Sequence, residues 1–288
     1  MMSTIYRTTL LFHIVAGLIG LAAFWLPAIL RKGGKAHVQF GRVFFWATCG
    51  VAASGLVMAS SIFIAPLAVK PPSAPVSPQR ATAIAAEMRL MSVFLFYLVA
   101  ITFTPVYHGV RVLATRRTPE RLRTPFHTFV SVSAIVGSLA MITIGVLERV
   151  PVLFFMSPIG FLIGLGQLGF ARKPYATPMA WWYEHMGAMI GGGIAFHTAF
   201  LVLGAGRLFG LRFDGMTAVI PWILPSLIGI PASAIWQRHY RRKFKEDGRR
   251  DGMMQPQHVR TGAVSHDHER DRNGRRDDHR RVDLRPTV

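Results

Sequence analysis

The residues of this chain that could do chemistry in an apolar setting are its histidines. His13, His108, His127, His185 and His197 lie in or at the ends of long apolar segments, and His37 lies in a short basic loop. An imidazole in hydrocarbon is costly unless a partner or a function retains it. A neutral imidazole is also a common metal ligand and, near pH 7, a proton carrier. Two histidines on different helices at one depth can clamp a haem iron from both faces. His13 and His197 are the candidate pair for such ligation, with haem b as the cofactor and iron as the metal. Gly17 and Gly20 follow His13, and Gly191, Gly192 and Gly193 precede His197, which would leave room for a macrocycle. The competing explanation is that these small residues let helix backbones approach, as Gly160–Gly164 and Gly187–Gly191 also would.

His108, His127 and His185 fall at the opposite boundary, with His37 in the adjoining loop, so the sequence offers an outer pair and an inner cluster. His127 and His185 read as wetted boundary residues. His185 and His197 are separated by about 120° beyond three full turns at about 100° per residue, so one helix does not carry two ligands on one face. Glu184 could orient His185 or relay a proton. The preceding Trp181, Trp182 and Tyr183 favour an interfacial aromatic belt with Glu184 at headgroup level.

The elements that must position these residues are membrane helices. A crossing needs about 20 apolar residues, and stretches at about 8–30, 43–68, 88–113, 127–147, 152–171, 182–204 and 217–237 meet that length. The first is expected to be retained and not cleaved, since no small-residue site follows a short apolar core. Between the second and third lies KPPSAPVSPQR, whose prolines suit an extended, solvated loop. Lys and Arg cluster in alternate loops (Arg31, Lys32, Lys35 and Arg42; Arg116, Arg117, Arg121 and Arg123; Arg172 and Lys173; Arg238, Arg241, Arg242 and Lys243). That bias places the N-terminus outside and the C-terminus in the cytoplasm, which requires an odd number of spans.

Composition agrees. Of 288 residues 51% are hydrophobic and 16% charged, well under the roughly 25% of soluble domains. Through Arg238 the acids are Glu87, Glu120, Glu148, Glu184 and Asp214; the others lie in the tail. The net charge of +19 reads as positive-inside loops facing anionic lipid headgroups, and not as a nucleic-acid footprint. One cysteine, Cys49, excludes an intramolecular disulfide and a Cys-rich metal site. No nucleophile elbow, phosphate-binding glycine loop or H-E-x-x-H motif is present. The tail 239–288 mixes charges of both signs without apolar periodicity and reads as disordered. His266, Asp267, His268 and His279 give it at most a loose metal affinity.

Lys32-Gly33-Gly34-Lys35-Ala36-His37-Val38-Gln39-Phe40-Gly41-Arg42, soon after His13-x-x-x-Gly17, resembles a motif of the bacterial domain-of-unknown-function 2306 family. So does the later Trp182, Tyr183, His185, Met186 and Met189. The family pattern often has Arg where this chain has Val38. The resemblance covers about the first seventy residues and 180–204; it implies the membrane fold and a bacterial inner-membrane location, but no reaction. There is also a loose similarity to b-type cytochrome membrane proteins.

The sequence therefore reads as an all-α, polytopic bundle of seven transmembrane helices over 1–238, followed by a disordered cytoplasmic tail over 239–288. Three functions are open. One is a histidine-ligated haem or metal redox protein exchanging electrons with a quinol or a partner protein, with His13, His197, His108, His185, His127 and His37 as candidate cofactor-binding residues. The second is a proton-coupled transporter using the same histidines. The third is a non-catalytic accessory subunit.

Overall fold

The computed structural model describes residues 2–173, 175–210, 217 and 219–246. Seven helices are long and apolar enough to cross a membrane, which makes the chain a multi-pass α-helical membrane protein. They are α1 (Met2–Ile29), α2 (Lys35–Ile64), α3 (Pro78–Ala114), α4 (Pro125–Leu147), α5 (Pro151–Arg172), α6 (Ala180–Ala199) and α7 (Ile220–Lys243). A π-helical turn, Phe200–Ala205, extends α6. Among the described residues there is no strand.

The local sequence sets the breaks. Proline occupies the first turn of α3, α4, α5 and α7, where its missing N–H would be unpaired in any case. Ser77 and Thr124 cap α3 and α4 through their side-chain oxygens. The α3 helix thus begins at Pro78, inside the proline-rich stretch, and only the residues before Ser77 form the extended connection. Gly33 turns the α1–α2 loop at φ +77, a conformation that costs glycine little. Lys32 Nζ closes α1 by donating to the Pro27 and Ala28 carbonyls, both at 2.7 Å, and lies over the Trp236 ring of α7. Burial pulls the Lys32 ammonium below its ordinary pKa.

The α3 helix is the hub, packing against α2, α4, α5 and α6, whereas α7 leans chiefly on α6. One core joins Phe94, Tyr97 and Ile101 of α3 to Met141 and Leu153. A second joins Ala23, Phe44, Val106 and Phe196 across α1, α2, α3 and α6. Large side chains such as Trp46, Leu162 and Leu227 stay exposed, as expected where the outer surface meets lipid. The α4–α5 hairpin has a close glycine seam in which backbone meets backbone. A Cβ at Gly160 would stand 2.4 Å from Ser138 Oγ, and one at Gly164 2.4 Å from the Ser131 carbonyl. Tyr97 Oη pins this seam, donating to the Met156 carbonyl (2.7 Å) and accepting the Gly160 N–H (3.0 Å).

The loops following α1, α3 and α5 share one end of the bundle with the last turn of α7, called here the basic end. Arg123 of the α3–α4 loop donates to the Ala171 and Arg172 carbonyls, and Arg116 lies over Trp181. The α7 helix continues past Arg238 to Lys243, and Glu246 beyond it accepts from the Met179 N–H and Tyr183 Oη. The α7 helix and the Glu246 contacts therefore reach beyond residue 238; the residues after 246 lie outside the described ones.

Candidate functional site

Three elements bring a polar chain together inside the basic end. The Thr124 side chain accepts the His127 N–H at 3.1 Å, and Pro125 starts the helix, so His127 is fixed in the first turn of α4. The hub helix α3 presents His108, and the start of α6 presents Glu184. His108 Nδ1 lies 2.8 Å from His127 Nε2, and His108 Nε2 lies 2.9 Å from Glu184 Oε1. Both imidazoles are fully buried (0% exposed), while the Glu184 side chain keeps 31% of its surface exposed. The chain therefore runs from a partly open carboxylate to a closed interior.

Hydrogen-bond chemistry constrains its protons. An ionised Glu184 can only accept, so His108 donates from Nε2. With His108 neutral, its Nδ1 is a lone pair and His127 donates from Nε2. His127 Nδ1 is then a bare acceptor, and it has no protein partner among the described residues. A proton arriving at His127 Nδ1 can be matched by transfer of the His127 Nε2 proton to His108 Nδ1 and of the His108 Nε2 proton to Glu184 Oε1. One proton crosses three groups and neither ring turns.

Two more buried atoms without partners lie at this end, Arg111 Nε and Tyr175 Oη. Arg111 is one turn beyond His108 on α3, donates through Nη2 to the Arg121 carbonyl, and lies within electrostatic reach of His127. Phe170 meets His108 edge-on and packs on Tyr175, an apolar wall between them. Burial, with the carboxylates of Glu120 and Glu184, holds the Tyr175 phenol above its ordinary pKa, so it remains a proton donor at neutral pH. Buried polar groups are normally paired. All three unpartnered atoms among the described residues fall in this one region.

The remaining sequence candidates are placed separately. His185, although adjacent to Glu184, turns to α3 and donates from Nδ1 to the Gly109 carbonyl at 2.9 Å. His37 donates from Nδ1 to the Pro27 carbonyl at 3.2 Å and lies within electrostatic reach of His185. The expectation of a wetted boundary position for His127 is corrected by its complete burial. Glu184 contacts His108 and not His185.

His13 and His197 have separate partners. His13 Nδ1 is 2.8 Å from Ser54 Oγ of α2. His197 uses both nitrogens: Nδ1–H donates to the Gly193 carbonyl (2.7 Å), and Nε2 accepts from Trp25 Nε1 (3.0 Å). Gly20 faces Phe196 and Gly193 faces Phe24. This antiparallel register sets His197 beside the α1 backbone roughly 10 Å deeper than His13, at 1.5 Å per residue. A Cβ at Gly20 would meet the Phe196 ring at 2.6 Å, and one at Gly193 the Phe24 ring at 2.1 Å. Of the glycines expected to admit a macrocycle, Gly20 and Gly193 are thus filled by aromatic rings and Gly192 faces Val106, while Gly17 and Gly191 meet nothing within 4 Å. As packed, these residues do not fit a haem held between His13 and His197. Among the described residues no group of three or more His, Cys, Asp or Glu is arranged to hold a metal ion.

The sequence reading did not single out Arg111, Tyr175, Trp25 or Ser54. The spacing of His108 and Arg111, three apart on one helix, was the available signal for Arg111. Nothing local in the sequence marks the others, which become partners only through helix packing. The chain matches no family model, no curated protein and no solved structure.

Proposed function

We propose that this protein carries protons across its membrane through the relay Glu184–His108–His127. The observation behind this reading is the buried hydrogen-bonded chain that opens at a carboxylate and terminates at an unpartnered imidazole nitrogen. Membrane interiors retain such groups chiefly where ions or protons pass. His127 Nδ1, with Arg111 and Tyr175 nearby, takes up the proton, the two histidines pass it along, and Glu184 exchanges it with the interface. The positive-inside bias of the basic loops favours a cytoplasmic position for the relay, and the family resemblance favours a bacterial inner membrane.

The test is proton influx into vesicles carrying the purified protein, under an imposed pH gradient with the membrane potential clamped. Influx above protein-free vesicles, and its loss in Glu184→Gln, is the expected result. Influx no faster than lipid alone would overturn the reading. A reduced-minus-oxidised absorption spectrum of the same sample checks the haem alternative. A sharp reduced band lost in His13→Ala would return the function to electron transfer.

A further inference from the structure

Away from the relay, α6 and α7 meet where Gly229 faces Ile194 and where Trp182 packs on Tyr240, and part between these contacts. They leave a cavity of about 460 Å³, inside the roughly 300–1,000 Å³ range of ligand pockets. Its walls are mostly apolar, with Ile190, Gly191 and Ile194 on α6 facing Ile230 and Ala234 on α7, and with Ser233, already bonded to Gln237, as the polar side chain among them. A Cβ at Gly191 would meet nothing within 4 Å, so glycine here does not serve close helix approach. The α7 side runs from Gly229 to Arg241, roughly 18 Å at 1.5 Å per residue. That length is about one leaflet of a hydrocarbon core some 30 Å thick.

The character changes at the basic end, where Gln237, Arg238 and Arg241 line the cavity. Neither arginine forms an ion pair among the described residues. The Arg241 guanidinium is held over the Tyr183 ring at 4.4 Å. The acids in this part of α6 and α7 are engaged elsewhere: Glu184 with His108, and Glu246 with Tyr183 and Met179. A slot one leaflet long, apolar along its length and cationic at its interfacial end, has the charge and shape of one amphiphile.

We infer that the α6–α7 groove is a binding site for an anionic phospholipid, with an acyl chain between Gly191 and Ala234 and the headgroup phosphate on Arg238 and Arg241. Gln237, whose Nε2 donates one N–H to Ser233 Oγ at 3.3 Å, has a second amide N–H at the same level. The site is independent of proton transfer and stands whether or not the relay conducts.

The experiment is native mass spectrometry of the full chain released from detergent after equilibration with phosphatidylglycerol or with phosphatidylcholine of the same acyl chains. Wild type should retain one phosphatidylglycerol in preference to phosphatidylcholine, by about fivefold for each arginine engaged. The double substitution Arg238→Gln/Arg241→Gln should equalise the two lipids, and Gly191→Leu, which fills the slot, should lower retention of both. Equal retention of the two lipids by wild type would overturn the proposal, and that comparison needs no variant to fold. Retention unaffected by Gly191→Leu in a monodisperse sample would also overturn it, as would stronger retention of a neutral isoprenoid quinone than of phosphatidylglycerol.

Discussion

The two histidine groups of this protein differ in how their hydrogen bonds terminate. His197 is closed: one nitrogen holds its own helix and the other holds Trp25 of α1, so the ring ties α6 to α1. His13 likewise reaches across to Ser54 of α2. His108 and His127 instead form links of a chain, and the last nitrogen of that chain has no protein partner among the described residues. A closed set of bonds fixes helices, and an open chain has the form a proton path needs. Under the proposed function the same residue type in the same apolar setting performs two tasks, and only its partners distinguish them.

This contrast is breakable by substitution. The largest effect is expected at the relay's inner end. His127→Phe keeps an aromatic ring but removes the terminal acceptor, and proton influx should fall by about 100-fold, the scale of a positioned acid–base group. Measured in the same vesicles as wild type, unchanged influx would remove His127 from the path. Next is Gly160→Ala, which forces a methyl against Ser138 Oγ and the Ala134 carbonyl. It should cost about 1–3 kcal/mol by overpacking, seen as a lower thermal midpoint in detergent, whereas Gly191→Ala should be neutral. Thr124→Ala removes the cap beneath His127 and should cost about 1 kcal/mol. It should also slow influx, because the relay's last ring loses its anchor. Smallest is Trp25→Phe, which releases His197 Nε2. It should lower stability by about 0.6 kcal/mol, typical of an interhelical hydrogen bond in a membrane, and leave influx unchanged.

Much of the fold was legible because bilayer thickness and proline punctuation are local signals. Seven apolar stretches become seven helices, and Thr124-Pro125 and Ser77-Pro78 mark two starts through side-chain caps. The site was legible only as an inventory. Depth counting placed His108, His127 and Glu184 at one end, but not in contact, since rotation about each helix axis decides which rings meet. Glycine shows the same limit. Gly160–Gly164 and Gly187–Gly191 share one spacing, yet the first pair lies against a neighbouring backbone and the second lines a groove. That difference arises from α7, whose Pro225 and Pro231 give no local hint of how closely it approaches α6. The apparent match in depth of His13 and His197 failed for a related reason, because spans counted from estimated edges carry no register between helices.

The most direct test of the relay compares proton influx in two variants that each replace one buried histidine with phenylalanine, His108→Phe and His197→Phe, reconstituted at equal density. The account predicts influx at the protein-free background for His108→Phe and at the wild-type rate for His197→Phe. Equal influx in both, or loss confined to His197→Phe, would contradict it.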